Sequence, residues 1–98
     1  MEHDDYRAIA LLKAKPGQAQ ALVDLVLDVL PAIRAVEGLR RIEVNRDIAD
    51  PNHLLLLYWW QSPAHSSSYV AGPVYAAIMP RLLALLAEHA FYLTENIA

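Results

Sequence analysis

Five large aromatic residues are concentrated between positions 58 and 75: Tyr58, Trp59, Trp60, Tyr69 and Tyr75. Phenol and indole rings combine apolar area with a hydrogen-bond donor at the rim, which is the chemistry of holding a flat aromatic ligand in one orientation. If the stretch around them is a strand, Tyr58 and Trp60 share one face and Trp59 takes the other. With Tyr58 and Trp60 turned toward the helices, they line a pocket together with Tyr69 and Tyr75. The competing account is core packing, because large aromatics fill small cores efficiently.

The other groups capable of chemistry are sparse. The four histidines, His3, His53, His65 and His89, form no H-x-x-x-H or H-E-x-x-H pair. His3, Asp4 and Asp5 make a weak candidate for metal binding, against the simpler expectation of a frayed terminus. His65 opens a short helix near the aromatic cluster and is the histidine to test as a base or donor, against a plain surface role. Cysteine is absent, which removes thiol nucleophiles, disulfides and cysteine-ligated metals. No G-x-S-x-G elbow surrounds Ser66, Ser67 and Ser68. Gly17, Gly38 and Gly72 are too scattered to cradle a phosphate. Arg81, on the less apolar side of the last helix, is expected to pair with Glu88 or Glu37 rather than to clamp a substrate.

These residues need elements to position them. Tyr6 to Ala14 reads as a strand, with Arg7, Ile9, Leu11 and Lys13 on one face and Tyr6, Ala8, Ala10 and Leu12 on the other. Both faces are mostly apolar, so the strand is expected to be covered on both sides. After Pro16-Gly17, the spacing of Leu22, Leu25, Val26, Val29, Ile33 and Val36 predicts a helix over 18–36. Pro31 is expected to kink or break it, and Gly38 to cap it. Leu39 to Asp47 alternates as a second strand, and Asp50-Pro51-Asn52 is a turn. His53 to Trp60, the most apolar strand, belongs in the centre of a sheet. Ser62-Pro63 predicts a helix start and Gly72-Pro73 a break. A further helix is expected over 74–88, with Tyr75, Ile78, Met79, Leu82, Leu83 and Leu86 buried and Pro80 bending it. Phe91 to Ala98 alternates as the last strand. The order β-α-β-β-α-β predicts a ferredoxin-like split βαβ, an α+β antiparallel sheet with the helices on one face.

The 98-residue chain has room for one domain, 1–98, with residues 1–5 expected to be a flexible N-terminus. Its apolar fraction of 56% exceeds the usual ~45–50%. That excess, and the apolar second face of the sheet, predict a homodimer through sheet-to-sheet packing. A net charge of −3 without a basic cluster argues against nucleic acid as a partner. The start lacks the regions of a signal peptide, and the run Leu54 to Trp60 is too short to cross a bilayer. No membrane association and a cytoplasmic location are therefore expected.

Three segments, in order and together covering nearly the whole chain, resemble one known family. They are AIALLKAKPG (Ala8 to Gly17), PAIRAVEGLRRIEVNRDIADPNH (Pro31 to His53) and YWWQSPAHSSSYVAGPVYAAIMPRL (Tyr58 to Leu82). The family is that of antibiotic biosynthesis monooxygenase domains, which includes quinol monooxygenases. The resemblance implies a dimeric α+β barrel, with the C-terminal strand contacting the partner and a pocket between sheet and helices. Its enzymes oxygenate quinols, anthrones and related aromatics with dioxygen, using no flavin, metal or other cofactor. On this basis Trp60, Tyr69 and His65 are the candidate catalytic residues. Trp60 forms a pocket wall, Tyr69 is a donor and His65 is a proton acceptor. Tyr58, Tyr75 and Met79 are the candidate contacts to a small aromatic ligand.

The chain departs from the family pattern in places. Tyr58 stands where an acidic residue usually precedes the tryptophan by two positions. Tyr69 and Val74 stand where many relatives have histidines. The haem-degrading branch uses Asn, Trp and His where this chain has Ala10, Tyr69 and Met79, which disfavours haem degradation. Two further readings stay open: a non-catalytic dimeric binding or stress-associated protein, and a structural dimer whose pocket is too small for any ring.

Overall fold

The stretch from His53 to Trp60 carries leucine and aromatic side chains on both faces, and it forms a strand with a neighbour along each edge. In the computed structural model, which describes residues 6–98, it is the third strand of seven elements. These are β1 (Tyr6–Ala14), α1 (Ala19–Arg34), β2 (Leu39–Arg46), β3 (His53–Trp60), α2 (Pro63–Val70), α3 (Pro73–Leu83) and β4 (Leu86–Glu95). The sheet runs β2-β3-β1-β4, with every neighbouring pair antiparallel. The helices lie against one face, giving the ferredoxin-like α+β arrangement. His3, Asp4 and Asp5, and with them the weak metal candidate, lie outside the described residues.

The two-residue period of the strands sorts the side chains. On β3, Leu54, Leu56, Tyr58 and Trp60 are buried under the helices, while Leu55, Leu57 and Trp59 on the reverse face stay half-exposed. On β1 the helix-facing side chains are Ala8, Ala10, Leu12 and Ala14. Small residues here oppose large ones in register: Ala8 faces Tyr58 and Ala10 faces Leu56. Leu22, Val26, Val29 and Ile33 of α1, with Ile78 and Leu82 of α3, close the core from above.

The sequence expectations need four corrections. Helix α1 runs through Pro31 unbroken. The missing amide leaves the Leu27 carbonyl without its helical donor, but Leu27 and Pro31 are both exposed, so the loss falls on the solvent side of the helix. The helix is capped at Ala35, not Gly38. Gly38 instead turns the chain into β2 at φ +84°, and a Cβ there would run into the His65 ring. Arg81 reaches Asp28 of α1 at 3.3 Å instead of either glutamate.

The largest correction concerns the end of the chain. The pattern Ala84-Leu85-Leu86-Ala87-Glu88 favours helix locally, yet α3 stops at Leu83 and β4 begins at Leu86. Pairing along the full length of β1 outweighs the local preference. The crossover is tied down at Lys15: its amide donates to the Leu85 carbonyl (2.9 Å) and its ammonium to the Ala84 carbonyl (3.1 Å). Leu83 is consequently exposed, and Glu88 lies opposite Lys13 in the sheet instead of on a helix.

Candidate functional site

Between the sheet and the helix layer, the alanines of β1 leave space that their neighbours do not fill. A cavity of about 50 Å³ lies there. Its floor is Ala10, Leu12 and Leu56, its roof is made by α1 and α3, and Tyr69 of α2 joins the wall. The lining is apolar except for the hydroxyls of Tyr58, Tyr69 and Tyr75 and the imidazole of His89. A volume of this size holds a few water molecules or a diatomic gas. An aromatic ring requires the lining to move, and Met79 and the exposed Phe91 are the side chains with freedom to do so.

The aromatic side chains form one connected array. The Trp60 and Tyr58 rings are nearly parallel, with centroids 6.0 Å apart and planes 10° apart. Tyr69 tilts against both, at 5.6 Å from Trp60 and 6.0 Å from Tyr58, and meets Tyr75 edge-on at 5.4 Å. Burial, chiefly, holds the Tyr58 hydroxyl well above the usual phenol range; the neighbouring Tyr69 and Tyr75 add to this. Tyr69 is pushed up mainly by burial, with the neighbouring Tyr58 opposing the shift and Tyr75 reinforcing it. Both hydroxyls therefore stay protonated at neutral pH. They can donate to an anionic oxygen, and they are poor proton acceptors.

Of the candidate residues, Tyr58, Tyr69, Tyr75 and Met79 come together around the cavity. Trp60 lies behind them: it is fully buried, backs Tyr58 and Tyr69, and is not part of the lining. Its indole Nε1–H has no hydrogen-bond partner among the described residues. His65 lies outside the cavity. Ser62 caps α2 by accepting from the His65 amide at 3.3 Å, and its Oγ lies 2.7 Å from the imidazole Nδ1. The His65 ring packs against Gly38 and borders a separate open cleft with Glu37, Ser68 and Val74. Among the described residues only Tyr69 borders both spaces.

Two cavity residues escaped the sequence reading, His89 and Phe91. With a helix expected to continue through 88, His89 falls in a connection. Once β4 begins at Leu86, alternation places His89, Phe91 and Leu93 opposite Leu12, Ala10 and Ala8, on the helix-facing side. Glu88, His89 and Ala90 do not alternate in residue type, so their place in the strand shows only in the pairing with β1. Among the described residues no group of three or more His, Asp or Glu is placed to hold a metal ion, and no helix is long and apolar enough to cross a membrane.

A sequence profile of the family described as antibiotic biosynthesis monooxygenase matches residues 5–81. None of the curated proteins matches the chain. Solved structures share the fold at low identity. A conserved protein from Methanosarcina mazei superposes with a TM-score of 0.86 at 19% identity, covering 94% of this chain and 92% of its own. A protein of unknown function from Nitrosomonas europaea gives 0.84 at 24% identity, covering 99% and 94%. A protein from Mycobacterium tuberculosis gives 0.84 at 19% identity, covering 95% of each chain.

Proposed function

The chain belongs to the antibiotic biosynthesis monooxygenase family, and on that premise we propose that it is a cofactor-independent monooxygenase oxidising a small quinol, anthrone or other phenolic compound with dioxygen. The observation that carries this reading is an apolar cavity whose polar edge consists of phenol donors and one imidazole. The reaction balances with the substrate as sole reductant. Loss of a proton leaves an electron-rich anion, which passes one electron to dioxygen. Recombination forms a C–O bond, and the O–O bond then breaks as the remaining C–H proton leaves. One oxygen atom stays as a carbonyl, the other departs as water, and all four electrons come from the ring.

In this reading Tyr58, Tyr69 and Tyr75 donate to the substrate oxygen and favour its anion, and the apolar walls exclude water. Met79 packs against the ring. Trp60 acts by holding Tyr58 and Tyr69 in place, and His65 has no contact with the substrate. The test is oxygen uptake by the purified protein against quinols, anthrones and naphthols. Uptake proportional to protein concentration supports the proposal; its absence, with the compounds bound, removes it.

The same proposal includes a homodimer formed through the open sheet face, where Ile9, Leu11, Leu55, Leu57 and Trp59 have no helix over them. A second reading, a non-catalytic binding protein, is favoured by the small cavity volume and by Tyr58 at a position where a carboxylate is usual in the family. Binding without oxygen uptake separates the two.

A further inference from the structure

We propose that His89, at the β4 side of the cavity, is the proton acceptor for the bound aromatic. It takes the acidic C–H or O–H proton and returns it to the departing hydroxide as water. This inference rests on the oxygenase reading above and assigns the step that the tyrosines leave open.

Three observations lead to it. First, among the described residues the lining contains no carboxylate, lysine or arginine, and His89 brings to it an imidazole nitrogen that can accept a proton. Second, its position is fixed by register rather than by a loop. His89 lies opposite Leu12, and Phe91, the next residue on that face, lies opposite Ala10 and meets Tyr58 edge-on. The phenol donors and the imidazole thus border one cavity, with Phe91 next to His89 on the same face of β4 and in contact with Tyr58. Third, His89 is exposed as well as part of the lining, so the water formed when it returns the proton has a way out to solvent.

The neighbouring charged groups leave the imidazole to this task. From β1, Lys13 is opposite Glu88 on the reverse face, and the Lys15 ammonium is bonded to the Ala84 carbonyl. From α3, Tyr75 faces the cavity while Arg81 reaches out to Asp28. From β3 and α2 come Tyr58 and Tyr69, and α1 presents only Val26, Val29 and Ile33. His65, the other candidate base, is held at the start of α2 by Ser62.

The experiment uses anthrone as the probe, with the spectrum of the bound molecule reporting its ionisation and oxygen uptake reporting turnover. The wild-type protein is expected to convert bound anthrone to its anion, with an acid limb in the pH profile of kcat. His89→Gln, an exposed substitution, is expected to bind anthrone within about threefold but leave it neutral. It should lose the acid limb and lower kcat by about 100-fold or more. Added imidazole should restore part of the rate in His89→Ala. An acid limb kept in His89→Gln and lost in His65→Gln overturns the assignment. If the wild type takes up no oxygen, the oxygenase reading fails alone, and the spectrum still decides: an anion formed by the wild type but not by His89→Gln supports His89. Anthrone bound in its neutral form by both proteins, or not bound at all, overturns it.

Discussion

Phe91 of β4 meets Tyr58 of β3 edge-on, with 6.4 Å between ring centroids and 66° between planes, although β1 lies between their strands. The contact exists because β1 turns only alanines toward the helices there. Ala8 is flanked by Tyr58 and Leu93, and Ala10 by Leu56 and Phe91. Two large rings can lean over a small side chain and touch across a strand, and the space left over Ala10 becomes the cavity.

Filling that space should separate binding from folding. Ala10→Leu places three added carbons in the cavity floor, at an overpacking cost of about 1–3 kcal/mol. The variant is expected to remain folded by circular dichroism and to bind 1-naphthol at least tenfold more weakly in a fluorescence titration. Unchanged affinity in a folded Ala10→Leu protein would place the ligand somewhere else.

Trp60 and Tyr69 are in contact, but their truncation should report different things. Trp60 is fully buried against Tyr58 and Tyr69, so Trp60→Ala should cost about 3–5 kcal/mol in urea denaturation. Any activity lost with it reflects a collapsed wall. Tyr69→Phe keeps the ring and removes a single hydroxyl at the cavity edge, at about 1 kcal/mol. Its expected signature is a lower kcat with nearly native stability. A Trp60→Ala protein as stable as the wild type would contradict the packing role assigned here.

The tyrosine pair also predicts how the fold responds to alkali. Burial raises the Tyr58 and Tyr69 hydroxyls above the ordinary phenol value of 10.0, so above that pH the unfolded chain releases protons that the folded chain retains. Stability from these groups is full below pH 10 and declines as the pH rises toward the folded-state values. Thermal melts should therefore show Tm falling above about pH 10, and the fall should be shallower in Tyr58→Phe. Equal slopes in the two proteins would mean that other groups drive the alkaline transition.

Much of the architecture was legible because strand alternation carries strong signals in a chain this apolar. The bounds of β1 and β3 follow from residues 6–14 and 53–60 alone. The end of α3 was hidden because Ala84 to Glu88 favours helix and only long-range pairing with β1 draws it into β4. His89 was lost with it, falling between a helix expected to end at 88 and a strand expected to begin at Phe91, while Phe91 was placed on the strand without being assigned to the cavity. Pro31 looked like a kink or break because proline removes a helical hydrogen bond, although the apolar spacing already left it off the buried stripe, where the loss is tolerated. The aromatic cluster was visible from composition, whereas the separation of Trp60 and His65 from the cavity depends on depth and capping, which spacing does not encode.

The reverse face of the sheet supplies the last prediction. In register, Leu57 lies between Ile9 and Glu43, and Leu55 between Leu11 and Asn45. Beside them the Arg7 and Arg41 guanidinium groups flank the Trp59 ring at 5.3 and 4.9 Å. No helix covers this side, so aliphatic residues at the centre of the face remain half-exposed, and Tyr92 on β4 is 55% exposed. Such a face gains most by meeting its own copy about a two-fold axis, with the arginine-flanked tryptophan toward the rim. Leu57→Lys then sets a charge on each copy inside the apolar contact, where desolvation and mutual repulsion both oppose association. Sedimentation of the wild type at micromolar concentration should give a dimer of the 10.9 kDa chain, and Leu57→Lys should raise the dissociation constant by about 100-fold or more, equivalent to roughly 3 kcal/mol. A monomeric wild type would remove the dimer. A dimer indifferent to Leu57→Lys would move the contact off this face, leaving the exposed Phe91, Tyr92 and Leu93 of β4 as the surface to test next.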